Sequence, residues 1–85
     1  MQLTYHPKFV KQYKKLPENI KKLLQKKGGI FMHDPFDESL KTHKLKGELM
    51  NYYSFRVNYE YRVMFKFMDN DVILFYQVGT HEVYD

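Results

Sequence analysis

The sequence predicts an α+β domain: a short N-terminal strand and two helices, then a three-stranded meander, in a small antiparallel-rich sheet. Three observations lead there. Apolar residues recur at helical spacing between Pro7 and Met32 against a background of lysine. From residue 51 the pattern switches to alternation rich in Tyr, Phe and Val. The alternating runs, 52–58, 61–68 and 72–78, are separated by gaps short enough to mean hairpins. With 85 residues the chain is expected to form one domain, residues 1–85.

Each element has a local reason. Residues 2–5 alternate polar and apolar, as a short strand does. His6-Pro7 opens a helix, because proline at the first helical position has a suitable fixed φ and lacks only an N–H that the helix would leave unbonded. Phe9, Val10, Tyr13 and Leu16 form its apolar stripe. Leu16-Pro17 ends it, since the proline ring disfavours a helical residue before it. A second helix follows with Ile20, Leu23, Leu24 and Phe31 on one stripe. Gly28-Gly29 interrupts that stripe at roughly 1 kcal/mol per glycine, which leaves open whether the helix ends there or continues to Met32. The simplest arrangement is two antiparallel helices joined at Pro17, closed by Asp34-Pro35 and followed by a loop over 36–50.

Strand register follows from matching faces. Residues directly opposite in an antiparallel pair share a face, and a buried face fixes the pairing. Tyr53, Phe55 and Val57 point inward on the first run, and Tyr61, Val63, Phe65 and Phe67 on the second. A three-residue loop, Asn58-Tyr59-Glu60, then sets Val57 opposite Tyr61 and Arg56 opposite Arg62. A turn at Asp69-Asn70, with Met68 opposite Asp71, sets Val72, Leu74, Tyr76 and Val78 inward and brings Gln77 opposite Arg62. His81 shares the parity of Gln77 and falls just past the strand end, near the loop with Glu60. Arg56, Arg62, Gln77, His81 and Glu60 are therefore expected together at one end of the sheet, on the face away from the helices. That face would also carry Met64, Ile73 and Phe75, an apolar area in need of a cover or a partner.

Composition narrows the function. A chain this short buries only roughly 60–65% of its unfolded surface, and its eight Tyr and seven Phe supply large buried area per residue. The absence of Cys excludes a disulfide scaffold, a zinc finger and a thiol nucleophile, and it fits a reducing compartment. No apolar run approaches the ~20 residues that span a bilayer, and the N-terminus has no signal-peptide core, so no membrane association and a cytoplasmic location are expected. Charge is split. Residues 1–33 hold eight lysines against one glutamate, a net +7, whereas residues 34–85 hold six basic residues against nine acids, a net −3. Such a field suits a polyanion or an acidic partner.

Two arginines directly opposite each other repel unless a carboxylate or a bound anion intervenes, and the planar guanidinium fork suits phosphate. Arg, His and Glu around a phosphate point to RNA cleavage by attack of the ribose 2′-hydroxyl. That reaction needs a base for the 2′ proton, cations on the phosphorane and an acid for the leaving 5′ oxygen; it needs no metal or small-molecule cofactor. His81 can act as acid or base, Glu60 or His43 as its complement, and Arg56 and Arg62 as the phosphate clamp. Tyr84 can stack on a base, and Lys44 and Lys46 can hold flanking phosphates. The four histidines show no metal-ligand spacing.

Three segments carry a family likeness: His43-Lys44-Leu45-Lys46-Gly47, then Tyr53-Ser54-Phe55-Arg56-Val57-Asn58 with Glu60-Tyr61-Arg62-Val63, then Gly79-Thr80-His81-Glu82-Val83-Tyr84. In order and spacing they resemble the RelE/ParE toxin superfamily, most of all its RelE/StbE and YafQ-like branch. The resemblance implies a toxin of a type II toxin–antitoxin pair, a metal-independent endoribonuclease that cuts mRNA on the ribosome and is blocked by an antitoxin. It implies that His43 corresponds to the loop histidine of YafQ-like toxins, Arg62 to the arginine of the Tyr-Arg or His-Arg pair, His81 to the C-terminal catalytic histidine and Tyr84 to the C-terminal aromatic. At Arg56 and Glu60 the chain departs from YafQ-like toxins, which place histidine and aspartate there. The superfamily also includes ParE-like toxins that inhibit DNA gyrase without cutting RNA, which is the alternative function.

Overall fold

Five strands form one mixed sheet in the order β1-β5-β4-β3-β2, with two helices against one face. The computed structural model describes residues 1–80. The elements are β1 (Gln2–Tyr5), α1 (Pro7–Lys14), α2 (Glu18–His33), β2 (His43–Lys44), β3 (Tyr53–Arg56), β4 (Tyr61–Phe67) and β5 (Val72–Thr80). β2, β3, β4 and β5 pair antiparallel in that sequence, and β1 lies parallel to β5 at the edge. The expected strand, helix pair and meander are all present.

His6 starts α1 in two ways. Its backbone is extended, and its Nδ1 accepts a hydrogen bond from Lys8 N at 3.0 Å, which satisfies one of the helix's open donors. Pro7 follows at the first helical position. Pro17, with ψ 146°, separates the helices. α2 then passes through Gly28 and Gly29 without a break and ends at His33. Its propensity cost of roughly 1 kcal/mol per glycine is offset by tertiary burial on both sides of the pair, at Leu24 and Phe31. Phe31 is the main anchor. Its ring lies 5.0 Å from Phe55, 4.9 Å from Phe65 and 5.2 Å from Phe75, so one helix side chain touches three strands. Phe9, Ile20, Leu24, Leu40, Val57, Val63, Ile73 and Val78 complete the buried core around it.

The structure corrects two expectations. The segment 36–50 is more than a loop: it contains two short 3-10 turns, Glu38–Leu40 and Gly47–Leu49, and between them β2 adds an edge strand. A two-residue strand carries too little pattern to be seen in sequence. The second correction is the β4–β5 register. The loop spans Asp69 to Asp71, with left-handed Asn70 and Asp71 and with Met68 N bonded to Val72 O at 2.7 Å. Phe67 therefore opposes Ile73, and Phe65 opposes Phe75. A bulge follows, after which Met64 opposes Gln77 and Arg62 opposes Gly79. Ile73 and Phe75 thus enter the core rather than the outer face, and Val78 is inward because the bulge at Tyr76 restores the parity. Turn chemistry allows this, since Asn and Asp tolerate the left-handed region. Asp71 gains a partner as well, the Met1 amino group at 2.8 Å.

We expect Phe31→Ala to cost about 3–5 kcal/mol in urea unfolding, as a ring shared by three strands should. His6→Ala should cost about 1 kcal/mol, with most of it retained by His6→Asn, which keeps a capping acceptor. Equal loss in both His6 variants would remove the capping account.

Candidate active site

The turn after β3 places the two arginines. Asn58 Oδ1 accepts hydrogen bonds from Glu60 N at 2.9 Å and Tyr61 N at 2.7 Å, and Val57 N donates to Tyr61 O at 2.9 Å. This is the three-residue loop the alternation requires. Phe55 opposes Val63 on the core face, and Arg56 opposes Arg62 on the outer one. Both arginines are half-buried. Neighbouring positions on their strands alternate in the same way, so Ser54, Met64 and Lys66 share the outer face.

β2 extends this face. His43 opposes Ser54, Ser54 opposes Met64, and Met64 opposes Gln77, which makes one row across four strands. The arginine row lies two residues further along, roughly 7 Å. His43 is exposed, and its Nδ1 sits 3.1 Å from the Lys41 carbonyl oxygen. A carbonyl only accepts, so in this contact Nδ1 is the donor. The carbonyl is aimed by Lys41, whose φ of 52° ends the turn Glu38–Leu40. Asp37 caps that turn, accepting from Ser39 Oγ at 2.7 Å and Ser39 N at 2.9 Å. These two bonds, the hydroxyl's first, hold the Asp37 carboxyl below the ordinary carboxylate range. A chain of local interactions thus runs from Asp37 through Lys41 to the nitrogen of His43.

Electrostatics reinforces the geometry. None of the five strands contains an Asp or a Glu. The outer face carries instead Arg56, Arg62, Lys66 and His43, with Lys8 reaching over from α1. Lys66 Nζ lies 5.6 Å from the centre of the Tyr52 ring, and Lys8 Nζ 5.3 Å from that of Tyr76. The two tyrosine rings are 5.3 Å apart, and His6 packs edge-on against Tyr76 at 4.8 Å. Sequence reasoning missed this group. Tyr52 and Lys66 share the parity of Arg56 and Arg62 and were open to the same argument; Tyr76 reaches this face only through the bulge.

The structure brings some expected site residues together and separates others. Arg56, Arg62 and His43 share a face, and Glu60 sits exposed in the turn beside them. Gln77 is on that face but opposes Met64, not Arg62. It is 2% exposed, with Nε2 3.9 Å from Met64 Sδ and Oε1 without a hydrogen-bond partner among the described residues. Gln77 therefore offers no surface group for RNA. Lys44 opposes Tyr53, a core-side ring, so it lies on the other face from His43. Lys46 is exposed ahead of the turn Gly47–Leu49. His81 and Tyr84 lie outside the described residues. Among the described residues no three His, Asp or Glu side chains form a metal-binding group, and no helix is long and apolar enough to cross a membrane.

Two helices against one face of a five-stranded mixed sheet match the RelE-like α+β fold. A family model described as RelE-like toxin of the type II toxin–antitoxin system HigB matches residues 5–81, and the chain belongs to that family. Solved structures agree in fold. The YoeB/ParE toxin from Agrobacterium tumefaciens is 19% identical with a TM-score of 0.80, over 95% of this chain and 99% of that one. YafQ from E. coli strain BL21(DE3) is 19% identical with a TM-score of 0.79, over 95% and 93%. RelE in the archaeal RelE–RelB complex from Pyrococcus horikoshii OT3 is 21% identical with a TM-score of 0.76, over 96% of each chain. No curated protein matches the sequence.

Ser39→Ala should return the Asp37 carboxyl toward its ordinary pKa in an NMR titration. A depressed carboxyl stabilises the fold above its unfolded pKa and loses that contribution as pH falls through the folded value. The variant should therefore lose part of the acid-side dependence of stability. An unchanged Asp37 titration would remove Ser39 as the cause.

Proposed function

We propose that the chain is the toxin of a type II pair, held inactive by a cognate antitoxin, and that it cleaves mRNA on the ribosome without a metal ion. The supporting observation is the outer face itself, where Arg56 and Arg62 stand opposite each other on carboxylate-free strands one row from His43. The family supplies the toxin class; the face supplies the chemistry.

The residues of this face support one route to cleavage. A base, His43 or Glu60, takes the proton of the ribose 2′-hydroxyl as its oxygen attacks the adjacent phosphorus. Arg56 and Arg62 hold the non-bridging oxygens and offset the charge that builds on the phosphorane. The P–O5′ bond breaks, the leaving 5′ oxygen takes a proton from His81, and the products are a 2′,3′-cyclic phosphate and a 5′-hydroxyl. The two guanidinium groups do the electrostatic work that a metal would do elsewhere. Ribosomal RNA and mRNA are both polyanions, which fits the cationic face and the lysine-rich helices.

The test is primer extension on mRNA from translating ribosomes. New 5′ ends should appear with the wild-type chain. His81→Gln should reduce them by at least about 100-fold, the low end for a general acid or base. Wild-type activity in that variant would remove His81 from the mechanism. Arg56→Ala should weaken RNA binding more at low salt than at high salt; a salt-independent loss would make Arg56 structural. Intact mRNA together with arrested DNA supercoiling would replace the nuclease reading with gyrase inhibition. The antitoxin is found by screening source genomic fragments for rescue of growth when co-expressed with the chain.

A further inference from the structure

β5 runs past its neighbour. β1 pairs with residues 72–75, and along 76–80 no strand among the described residues lies on that edge. Backbone donors there need other acceptors, because a buried N–H left without one is costly. α1 supplies one. Gln12 Oε1 accepts from Val78 N at 2.8 Å, a bond between residues 66 apart in sequence. Val78 is 2% exposed and Gln12 half-buried, so little water competes for the donor. The helix that carries Gln12 is itself seated on β5. Phe9 lies one turn earlier, with its ring 5.5 Å from that of Phe75, and His6 N donates to Phe75 O at 2.9 Å where the helix begins.

These two bonds bracket the bulge. His6 holds Phe75 just before Tyr76, and Gln12 holds Val78 just after Gln77. What the bulge decides is a face. The pairing of Phe67 with Ile73 and Phe65 with Phe75, carried on without the extra residue, would set Val78 against Arg62 and turn Gly79 to the core side. With the bulge, Val78 meets Val63 and Gly79 meets Arg62. A slip of one residue exchanges the faces of every later position, and bulges serve elsewhere to re-aim a side chain. The next residue with the parity of Gly79 is His81, which itself lies outside the described residues.

We infer that Gln12 is a positioning residue: by holding Val78 N it locks the β5 bulge in the register that sets Gly79 against Arg62, and so fixes the parity with which the chain passes from Thr80 into His81. The catalytic consequence rests on the nuclease reading above; the lock itself does not. A general acid must come within hydrogen-bond reach of the oxygen it protonates, and a displacement of about 1 Å caused far from the chemistry can cost about 100-fold. A side chain of the first helix then influences the reaction without touching RNA.

Two variants separate the acceptor from the packing. Gln12→Met keeps the length of the side chain and removes the acceptor, whereas Gln12→Glu keeps an oxygen in its place. In the free chain, hydrogen exchange at the Val78 amide should be at least about tenfold faster in Gln12→Met and near wild type in Gln12→Glu. The amide shifts of Gly79 and Thr80 should move in the first variant and not in the second. On translating ribosomes, Gln12→Met should lower kcat for mRNA cleavage about 10- to 100-fold with KM within about twofold, and Gln12→Glu should restore kcat to within about twofold. Leu23→Ala loosens the core from α2 and serves as the control for general destabilisation; it should leave kcat unchanged at a temperature where it is folded. Unchanged Val78 exchange in Gln12→Met, a rise in KM in place of a fall in kcat, no rescue by Gln12→Glu, or an equal fall in Leu23→Ala would each overturn the assignment. A wild-type chain that cuts no mRNA, or a fully active His81→Gln, ends the nuclease reading and the catalytic consequence with it, while Val78 exchange still decides the lock.

Discussion

Asn58 sets the alignment on which the face of the sheet depends. One side-chain oxygen receives two successive backbone N–H groups, and the turn it closes has an odd number of residues. That parity puts Phe55 against Val63 and Arg56 against Arg62. A loop one residue shorter would put Val57 against Arg62 and drive a guanidinium into the core, where an uncompensated charge costs several kcal/mol. The chosen register has its own cost, since two cations stand opposite each other. Near a protein surface that repulsion is at most a few kcal/mol. Fully burying Phe55, Val57, Val63 and Phe65 is worth about 1.5–3 kcal/mol each, so the core decides and the arginine pair is tolerated.

The two faces of the sheet therefore do different work. The inner face is aromatic and closed by Phe31. The outer face is cationic, and its aromatic rings pair with lysines rather than with a helix. The bulge at Tyr76 makes this division possible on β5. It lets Ile73, Phe75 and Val78 all enter the core although their spacing is not strictly even, and it turns Tyr76 toward Tyr52. The apolar outer surface expected from unbroken alternation does not exist, because Ile73 and Phe75 are inside and Met64 is buried beside Gln77.

The lysine-rich half is a separate surface with its own logic. Its glycines, exposed apolar side chains and lysines lie on the helix side, away from the row of Arg56 and Arg62.

Much of this was legible in residue order. The prolines and lysine-backed stripes marked both helices, and alternation marked three strands. Turn parity placed Arg56 opposite Arg62, because period-two patterning and turn chemistry are local and here agreed. The rest required the folded chain. β2 is two residues long and exists only because β3 offers it an edge, and the orientation of His43 depends on the left-handed Lys41 beside it. The continuity of α2 through Gly28-Gly29 was settled by how firmly Leu24 and Phe31 are buried, not by helix propensity. The β4–β5 register was settled by competition among Ile73, Phe75 and Val78 for one core, and a bulge is the compromise. Sequence by itself determined which residues alternate and where the chain turns; tertiary structure decided which alternating set wins the interior, because burial is shared among strands that no local window contains.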